Sequence, residues 1–309
     1  MEGLTDLLSG VMKIGVQLPE VERPVGWAEA RDIARTVEDC GFDSIWVGDH
    51  LLYRDESGET RGPWEAWTSL AALAEATSRV ELAPLVAATS FHNPAMIAKF
   101  ASTVDEVSGG RLILGLGAGW NRTEYEAFGF PYDHRVSRFE EAFTIIRTLV
   151  RKGSIDFEGQ YYTHRGMELL PLARPDMKIL IGSNGPRMLR IALAHADMWN
   201  CWFEWFGNRA AGLGELQQKV DDVCADIGRD ASEIERTAAV YVKLAGGDGR
   251  DAGDSEKVMG GTLPITGTHE EIAEQLVAFG PAGIDHLQIV LDPITAAGVE
   301  ELAEILQLR

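Results

Sequence analysis

The sequence predicts a closed (β/α)8 barrel, with eight parallel strands each followed by a helix. Three observations lead there. Short apolar runs alternate with longer amphipathic segments along the chain, the pattern of βα units and a parallel sheet. There are eight such units, and eight of this length fit a closed barrel better than an open sheet. The chain has 309 residues, 45% hydrophobic and 25% charged, an ordinary globular composition at a length that α/β barrels reach as one domain.

Met12 to Leu18 reads as the first strand, stopped by Pro19. Trp27 to Cys40 reads as a helix, closed by Gly41 because glycine accepts the left-handed conformation in which helices often end. Ser44 to Val47 is a short buried strand, followed by the polar pair Asp49-His50, and Trp64 to Thr77 is helical. Val80 to Val86 is the third strand. Pro94 to Val107 is a helix with proline in the first turn, where its missing N–H costs little. Gly109-Gly110 stops that helix, and Arg111 to Leu116 is the fourth strand.

In the second half, Arg138 to Arg151 is helical, and residues near 152–176 form an insertion that reads as a hairpin around Phe157 to Tyr162. Lys178 to Ile181 is the fifth strand, Pro186 to His195 a helix, Asp197 to Cys201 the sixth strand and Asn208 to Ile227 a helix. Thr237 to Leu244 is the seventh strand. The polar, glycine-rich stretch near 246–262 is expected to be a mobile loop, not a domain linker. Thr268 to Phe279 is a helix opened by a capping box, Thr268 with Glu271. His286 to Leu291 is the eighth strand and Ala297 to Gln307 the last helix, so residues 1–309 are expected to form a single domain.

Charge narrows the partners. Lys and Arg number 28 against 48 Asp and Glu, a formal net charge of −20. Nucleic-acid binding needs a basic footprint, and none is visible. No apolar run approaches a membrane span. Cys40, Cys201 and Cys224 fit neither a ligand spacing nor a disulfide framework, which argues for a reducing compartment and against structural zinc. His92, His134, His164, His195 and His269 show no metal spacing either, so no metal is expected. The first residues lack a basic secretory n-region, and the expectation is a cytoplasmic protein.

A (β/α)8 barrel carries its active site at the C-terminal ends of the strands. That rule selects Asp49-His50, Ala87 to Thr89, Gly117 to Asn121, Gly182 to Gly185 and the stretch Trp199 to Phe206. His50 can titrate near neutrality. It reads either as a functional group or as a loop histidine capping backbone. Gly115-Leu116-Gly117-Ala118-Gly119 reads either as backbone that lets a flat ring or phosphate approach closely, or as a tight turn. Its glycine spacing does not complete a dinucleotide fingerprint. Gly182-Ser183-Asn184-Gly185 before Pro186 reads as a phosphate loop at a helix start, with an ordinary capped loop as the alternative. Trp199, Trp202, Phe203, Trp205 and Phe206 run past a strand end, where such rings line pockets as well as pack cores. Glu140-Glu141 and Asp221-Asp222 read as solvated helix faces.

Gly41-Phe42-Asp43-Ser44-Ile45-Trp46-Val47-Gly48-Asp49-His50, Phe91-His92-Asn93-Pro94, and the segment from Ser108-Gly109-Gly110-Arg111 to Gly117-Ala118-Gly119-Trp120 resemble the luciferase-like monooxygenase superfamily. Ile179 to Arg187 and Ala196-Asp197-Met198-Trp199-Asn200 extend the resemblance in order along nearly the whole chain. The chain looks most like the branch that uses the deazaflavin coenzyme F-420. The resemblance implies cofactor contacts at Asp49 and His50, and a bulge at Val86, Ala87 and Ala88 with a non-prolyl cis peptide at Leu85-Val86 or Val86-Ala87. It implies a ring-edge loop at Gly117, Ala118, Gly119 and Trp120, an acidic position at Glu124, and a phosphate loop at Gly182, Ser183, Asn184 and Gly185. The family's sugar-phosphate dehydrogenases carry a catalytic glutamate where this chain has Gly119-Trp120, and a tryptophan near the position of Arg54, so sugar-phosphate oxidation is not expected.

These implications amount to an F-420-dependent oxidoreductase that moves a hydride to or from a small organic substrate, with His50 as the proton-handling or ring-polarising group. The substrate pocket is expected to include Trp120, Trp199, Trp202 and the loop after His50. An FMN-dependent monooxygenase served by a partner flavin reductase is the alternative, and a non-catalytic flavin-binding protein is a third reading. A homodimer is among the expected assemblies.

Overall fold

The structure is a computed structural model that describes residues 12–20, 22–54, 58–248 and 262–308. Its main sheet is entirely parallel. The barrel strands are β1 (Lys13–Gln17), β2 (Ser44–Val47), β5 (Glu81–Pro84), β6 (Ala87–Ala88), β7 (Leu114–Gly117), β10 (Ile179–Gly182), β11 (Met198–Cys201), β12 (Glu235–Lys243) and β13 (His286–Asp292). They pair in the order β5-β2-β1-β13-β12-β11-β10-β7-β6. The two outer members, β5 and β6, are the halves of the third predicted strand, interrupted at the cis Leu85-Val86 peptide. β5 pairs β2 through Val47 and Pro84, and β6 pairs β7 through Ala88 and Gly117, so the sheet closes on itself. The expected barrel is thus present, with the cis bond within the segment expected to hold one.

The strands are short and apolar because helices cover their outer face and side chains fill the inside. Ser44–Val47 and His286–Asp292 are buried at every position. The covering helices are amphipathic. In α1 (Trp27–Asp39) the buried residues Ala30, Ile33, Ala34 and Val37 follow the i, i+3, i+4, i+7 spacing of one helical face. The other α-helices among the described residues are α2 (Ala66–Ala76), α3 (Pro94–Val107), α4 (Arg122–Phe128), α5 (Arg135–Lys152), α6 (Pro186–Leu193), α7 (Gly214–Ile227), α8 (His269–Val277) and α9 (Ala296–Leu306). The capping box at Thr268 and Glu271 is formed in both directions.

Several boundaries differ from the sequence expectation. The fourth strand begins at Leu114, not Arg111, because residues 111–113 touch the third strand only through a single parallel bridge, Leu82 with Leu112, while the Arg111 side chain donates to the carbonyls of Ala74, Thr77, Val80 and Ser108. The helix expected from Asn208 begins at Gly214. Asn208 instead takes a left-handed φ of 56°, is buried, and exchanges hydrogen bonds with the backbone of Tyr241. The insertion is the expected hairpin, β8 (Ser154–Glu158) against β9 (Thr163–Glu168). Among the elements that escape the periodicity argument because they are short, two bear on the site. One is the two-residue ladder β3 (Tyr53–Arg54) with β4 (Thr60–Arg61). The other is α4, whose Asn121 cap accepts from Thr123 N–H. Most of the loop expected to be mobile, residues 249–261, lies outside the described residues. Among the described residues no helix is long and apolar enough to cross a membrane.

Candidate active site

The C-terminal strand ends open onto a cavity of about 450 Å³, the size of a small-molecule site. The ends of six of the eight barrel strands contribute to its lining, those of β12 and β13 being the exceptions: Glu20 after β1, Asp49 and His50 after β2, Val86 and Ala88 around the break in the third strand. Gly117, Ala118, Gly119 and Trp120 follow β7. Gly182, Ser183 and Asn184 follow β10, and Asn200, Trp202 and Trp205 lie at the end of β11. Glu124 reaches in from α4. The structure therefore gathers most of the residues singled out in the sequence around one space.

Three of them stand outside the lining. Ala87 is fully buried beneath it, and Gly185 is the N-cap of α6. Trp199 is a correction. It is 0% exposed, and its indole N–H donates to Ser183 O at 2.7 Å. Successive strand residues face opposite sides, and on β11 Asn200 takes the inward side, so Trp199 supports the Ser183 loop from behind. Tyr53 belongs to the loop after His50 and Asn200 to the stretch Trp199 to Phe206, both expected at the pocket, whereas Glu20 and Met188 line it without a signal singled out in the sequence. Glu20 follows the first strand, so the strand-end rule reaches it as it does His50.

His50 sits between two carboxylates. Its Nδ1 lies 3.0 and 3.1 Å from the two oxygens of Glu124, and its Nε2 is 3.7 Å from Glu20 Oε1. Glu124 also accepts the N–H of Leu51 at 2.7 Å and of Leu52 at 3.3 Å, so its buried carboxyl is satisfied by backbone hydrogen bonds. Glu20 accepts from Tyr53 Oη and from Gln17 Nε2, each at 2.5 Å. Burial alone would lower the His50 pKa. The Glu20, Glu124 and Asp49 carboxylates outweigh it and hold the imidazole above its ordinary value. Trp120 presents its ring edge-on to His50, 5.5 Å away, and stays 45% exposed at the rim.

Asp49 shows the opposite balance. Its Oδ2 accepts Ala88 N–H at 2.8 Å, but the buried Oδ1 has no hydrogen-bond partner among the described residues. Burial pushes its pKa up to about 7, against the pull of the Ala88 hydrogen bond and of His50.

The cavity floor depends on missing side chains. A Cβ on Gly117 would stand 2.7 Å from Val86 Cγ2, and one on Gly182 3.1 Å from the same atom. Val86, beside the cis peptide, therefore fits only because both neighbouring strands end in glycine. The result is a smooth floor of backbone and one aliphatic side chain. Such a floor, with an unpartnered carboxylate oxygen at its side, fits a flat polar ring system.

A 5,10-methylenetetrahydromethanopterin reductase of Archaeoglobus fulgidus is 30% identical over 187 residues, 60% of this chain and 52% of the relative. An F-420-dependent glucose-6-phosphate dehydrogenase of Amycolatopsis mediterranei is 33% identical over 176 residues, 55% of this chain and 52% of the relative. A pyrimidine monooxygenase RutA of Enterobacter sp. is 32% identical over 171 residues, 54% of this chain and 47% of the relative. The chain thus spans about half the length of these curated relatives. Among solved structures, an F-420-dependent secondary alcohol dehydrogenase in complex with an F-420-acetone adduct superposes with a TM-score of 0.79 at 20% identity, covering 95% of this chain and 98% of that one, a likeness of fold. The family pattern of luciferase-like monooxygenases matches residues 10–248, which include every barrel strand but the last, and the chain belongs to that family.

Proposed function

We propose that this protein is an oxidoreductase that binds coenzyme F-420 in the cavity and moves a hydride between it and a small organic substrate. The observation that carries the reading is His50, a largely buried imidazole kept prone to protonation by Glu20 and Glu124 at the edge of a glycine-floored cavity. When bound, the deazaflavin supplies the carbon centre that accepts or gives the hydride, and the protein supplies binding, orientation and electrostatics.

The residues divide that work. Gly117, Gly182 and Val86 form the surface against which a ring can lie, and Asp49 Oδ1 offers it a polar contact. Gly182, Ser183, Asn184 and Gly185 precede α6, where backbone N–H groups suit a phosphate. Arg187, which could have added charge there, is instead tied to Ser137 and Glu140. His50 Nδ1 faces the acceptor Glu124 and so carries a hydrogen. The exchangeable position is then Nε2. Nε2 gives a proton to the substrate oxygen when its carbon gains a hydride, and takes one when the hydride leaves. Trp120 and Trp202 supply apolar walls for the substrate.

One observation favours a second reading. The pyrimidine monooxygenase is as similar to this chain, at 32%, as the F-420-dependent relative at 33%. An FMN-dependent monooxygenase fed by a partner reductase would use the same floor. Fluorescence titration of the purified protein with both cofactors separates the two. Coenzyme F-420 is expected to bind at least tenfold more tightly than FMN, a difference of about 1.4 kcal/mol or more. Equal affinities, or tighter FMN binding, overturn the F-420 reading.

A further inference from the structure

The segment Ala118 to Trp120 lines the cavity, yet its three consecutive carbonyls are held from behind. Ala118 O accepts from Tyr125 Oη at 2.8 Å, Gly119 O from Arg135 Nη1 at 2.9 Å, and Trp120 O from Tyr132 Oη at 3.2 Å. Arg135 Nη1 also lies 3.4 Å from Trp120 O. Neither Tyr125, Tyr132 nor Arg135 belongs to the cavity lining. The brace is itself packed, for the Arg135 guanidinium stands 4.1 Å and that of Arg122 5.4 Å from the centre of the Tyr132 ring.

A trans peptide is planar, and its N–H points opposite to its C=O. Three carbonyls drawn backwards therefore turn the N–H groups of Gly119, Trp120 and Asn121 to the cavity side. None of these three N–H groups has a hydrogen-bond acceptor among the described residues. Gly119 adopts a φ of +71°, and a Cβ there would meet Tyr125 Oη at 2.1 Å, so the turn and its brace require each other. Successive backbone N–H groups form a concave site for a negatively polarised atom. Donors fixed in advance need no reorganisation when charge develops.

We propose that Tyr132 and Arg135 are positioning residues: they hold the Gly119, Trp120 and Asn121 N–H groups as a donor array for an electron-rich edge of the bound ring, and so favour its reduced form. The inference rests on the flavin-type reading of the cavity, because reduction raises the electron density of that ring. Neither residue touches the ring. Both act through the loop.

The experiment uses the full-length protein, with coenzyme F-420 and FMN as probes. It compares wild type with Tyr132→Phe, Arg135→Met, the double variant and Arg135→Lys. Dissociation constants are measured for the oxidised and reduced cofactor, with the two-electron midpoint potential and the melting temperature. The double variant is expected to lose about tenfold of its preference for the reduced over the oxidised form, a potential lower by about 30 mV. Arg135→Lys should restore most of the loss that Arg135→Met causes, since its ammonium can still donate to Gly119 O. An unchanged potential in a double variant that still binds cofactor overturns the proposal. Equal weakening of both forms does so too, because it reports only a loosened loop. If the wild type binds neither cofactor, the flavin-type reading itself fails, which is a different result.

Discussion

Glu124 and Asp49 both lie near the His50 imidazole, and their hydrogen-bonded surroundings differ. Glu124 accepts two backbone N–H groups besides His50, whereas Asp49 accepts one and leaves an oxygen without a partner among the described residues. Burial therefore dominates at Asp49 and lifts its pKa to about 7. The sign for stability follows from proton counts. Between about pH 4 and 7 the folded protein holds the Asp49 proton and the unfolded chain does not, so stability falls as pH rises through that window. A shift of about three pKa units sets an upper bound of about 4 kcal/mol. Asp49→Asn without cofactor should be the more stable protein at pH 8, with the advantage vanishing near pH 4. Parallel wild-type and variant curves of melting temperature against pH would remove this account. His50 is also held above its ordinary pKa, so the stability it contributes is present below about pH 6.5 and is lost as pH rises through its folded value. Comparison at matched pH isolates Asp49. For the chemistry, His50→Ala should lower turnover at saturating cofactor about a hundredfold or more, the range of general acid–base catalysis. Cofactor affinity should stay within about tenfold, or roughly 1.4 kcal/mol. Normal turnover in that variant would leave His50 a structural residue.

At the scale of elements, the break between β5 and β6 is matched by glycines on its neighbours. The strand Leu114-Gly115-Leu116-Gly117 alternates core leucines with glycines that face the break. Gly117→Ala would press on Val86 Cγ2 at 2.7 Å, the end of a side chain. Gly115→Ala would meet Pro84 O at 2.2 Å, an atom of the backbone. Overpacking of a tight interior costs about 1–3 kcal/mol. Gly117→Ala should cost about that much, and adding Val86→Ala should recover most of it. Gly115→Ala should not be recovered by Val86→Ala. Chemical denaturation of the two single and two double variants tests the distinction, and equal recovery in both pairs would contradict it.

One residue of the fourth βα unit ties together the ends of α2 and α3 and the start of the third strand. The Arg111 guanidinium donates to the carbonyls of Ala74 and Thr77 at the end of α2, Val80 before β5 and Ser108 after α3. It also reaches the Thr77 hydroxyl. Arg111→Met would leave several of these acceptors unsatisfied, at a cost of about 3 kcal/mol or more, because buried acceptors without donors carry their full desolvation penalty. Arg111→Lys should recover little, since one ammonium cannot reproduce the planar fork. A urea midpoint lowered by similar amounts in both variants is the expected result. Full recovery with lysine would show that charge, not geometry, is what the site needs.

The sequence by itself determined the barrel. Eight apolar runs separated by amphipathic helices leave few arrangements that bury every apolar face, and the strand-end rule then located Asp49, His50, Gly117, Ala118, Gly119, Trp120 and Gly182 to Asn184 at one mouth. The hairpin of the insertion and the capping box at Thr268 were legible for the same reason, since both depend on residues close in the chain. Other features depend on contacts between distant segments, and only the tertiary structure decided them. Trp199 could not be told from a pocket residue until strand phase turned Asn200 inward in its place. Glu20 and Glu124 are 104 residues apart in number and meet only on opposite sides of the His50 ring. The pull of those two carboxylates on a buried imidazole, and the lone oxygen that raises Asp49, are properties of distance and desolvation. Spacing along the chain carries neither.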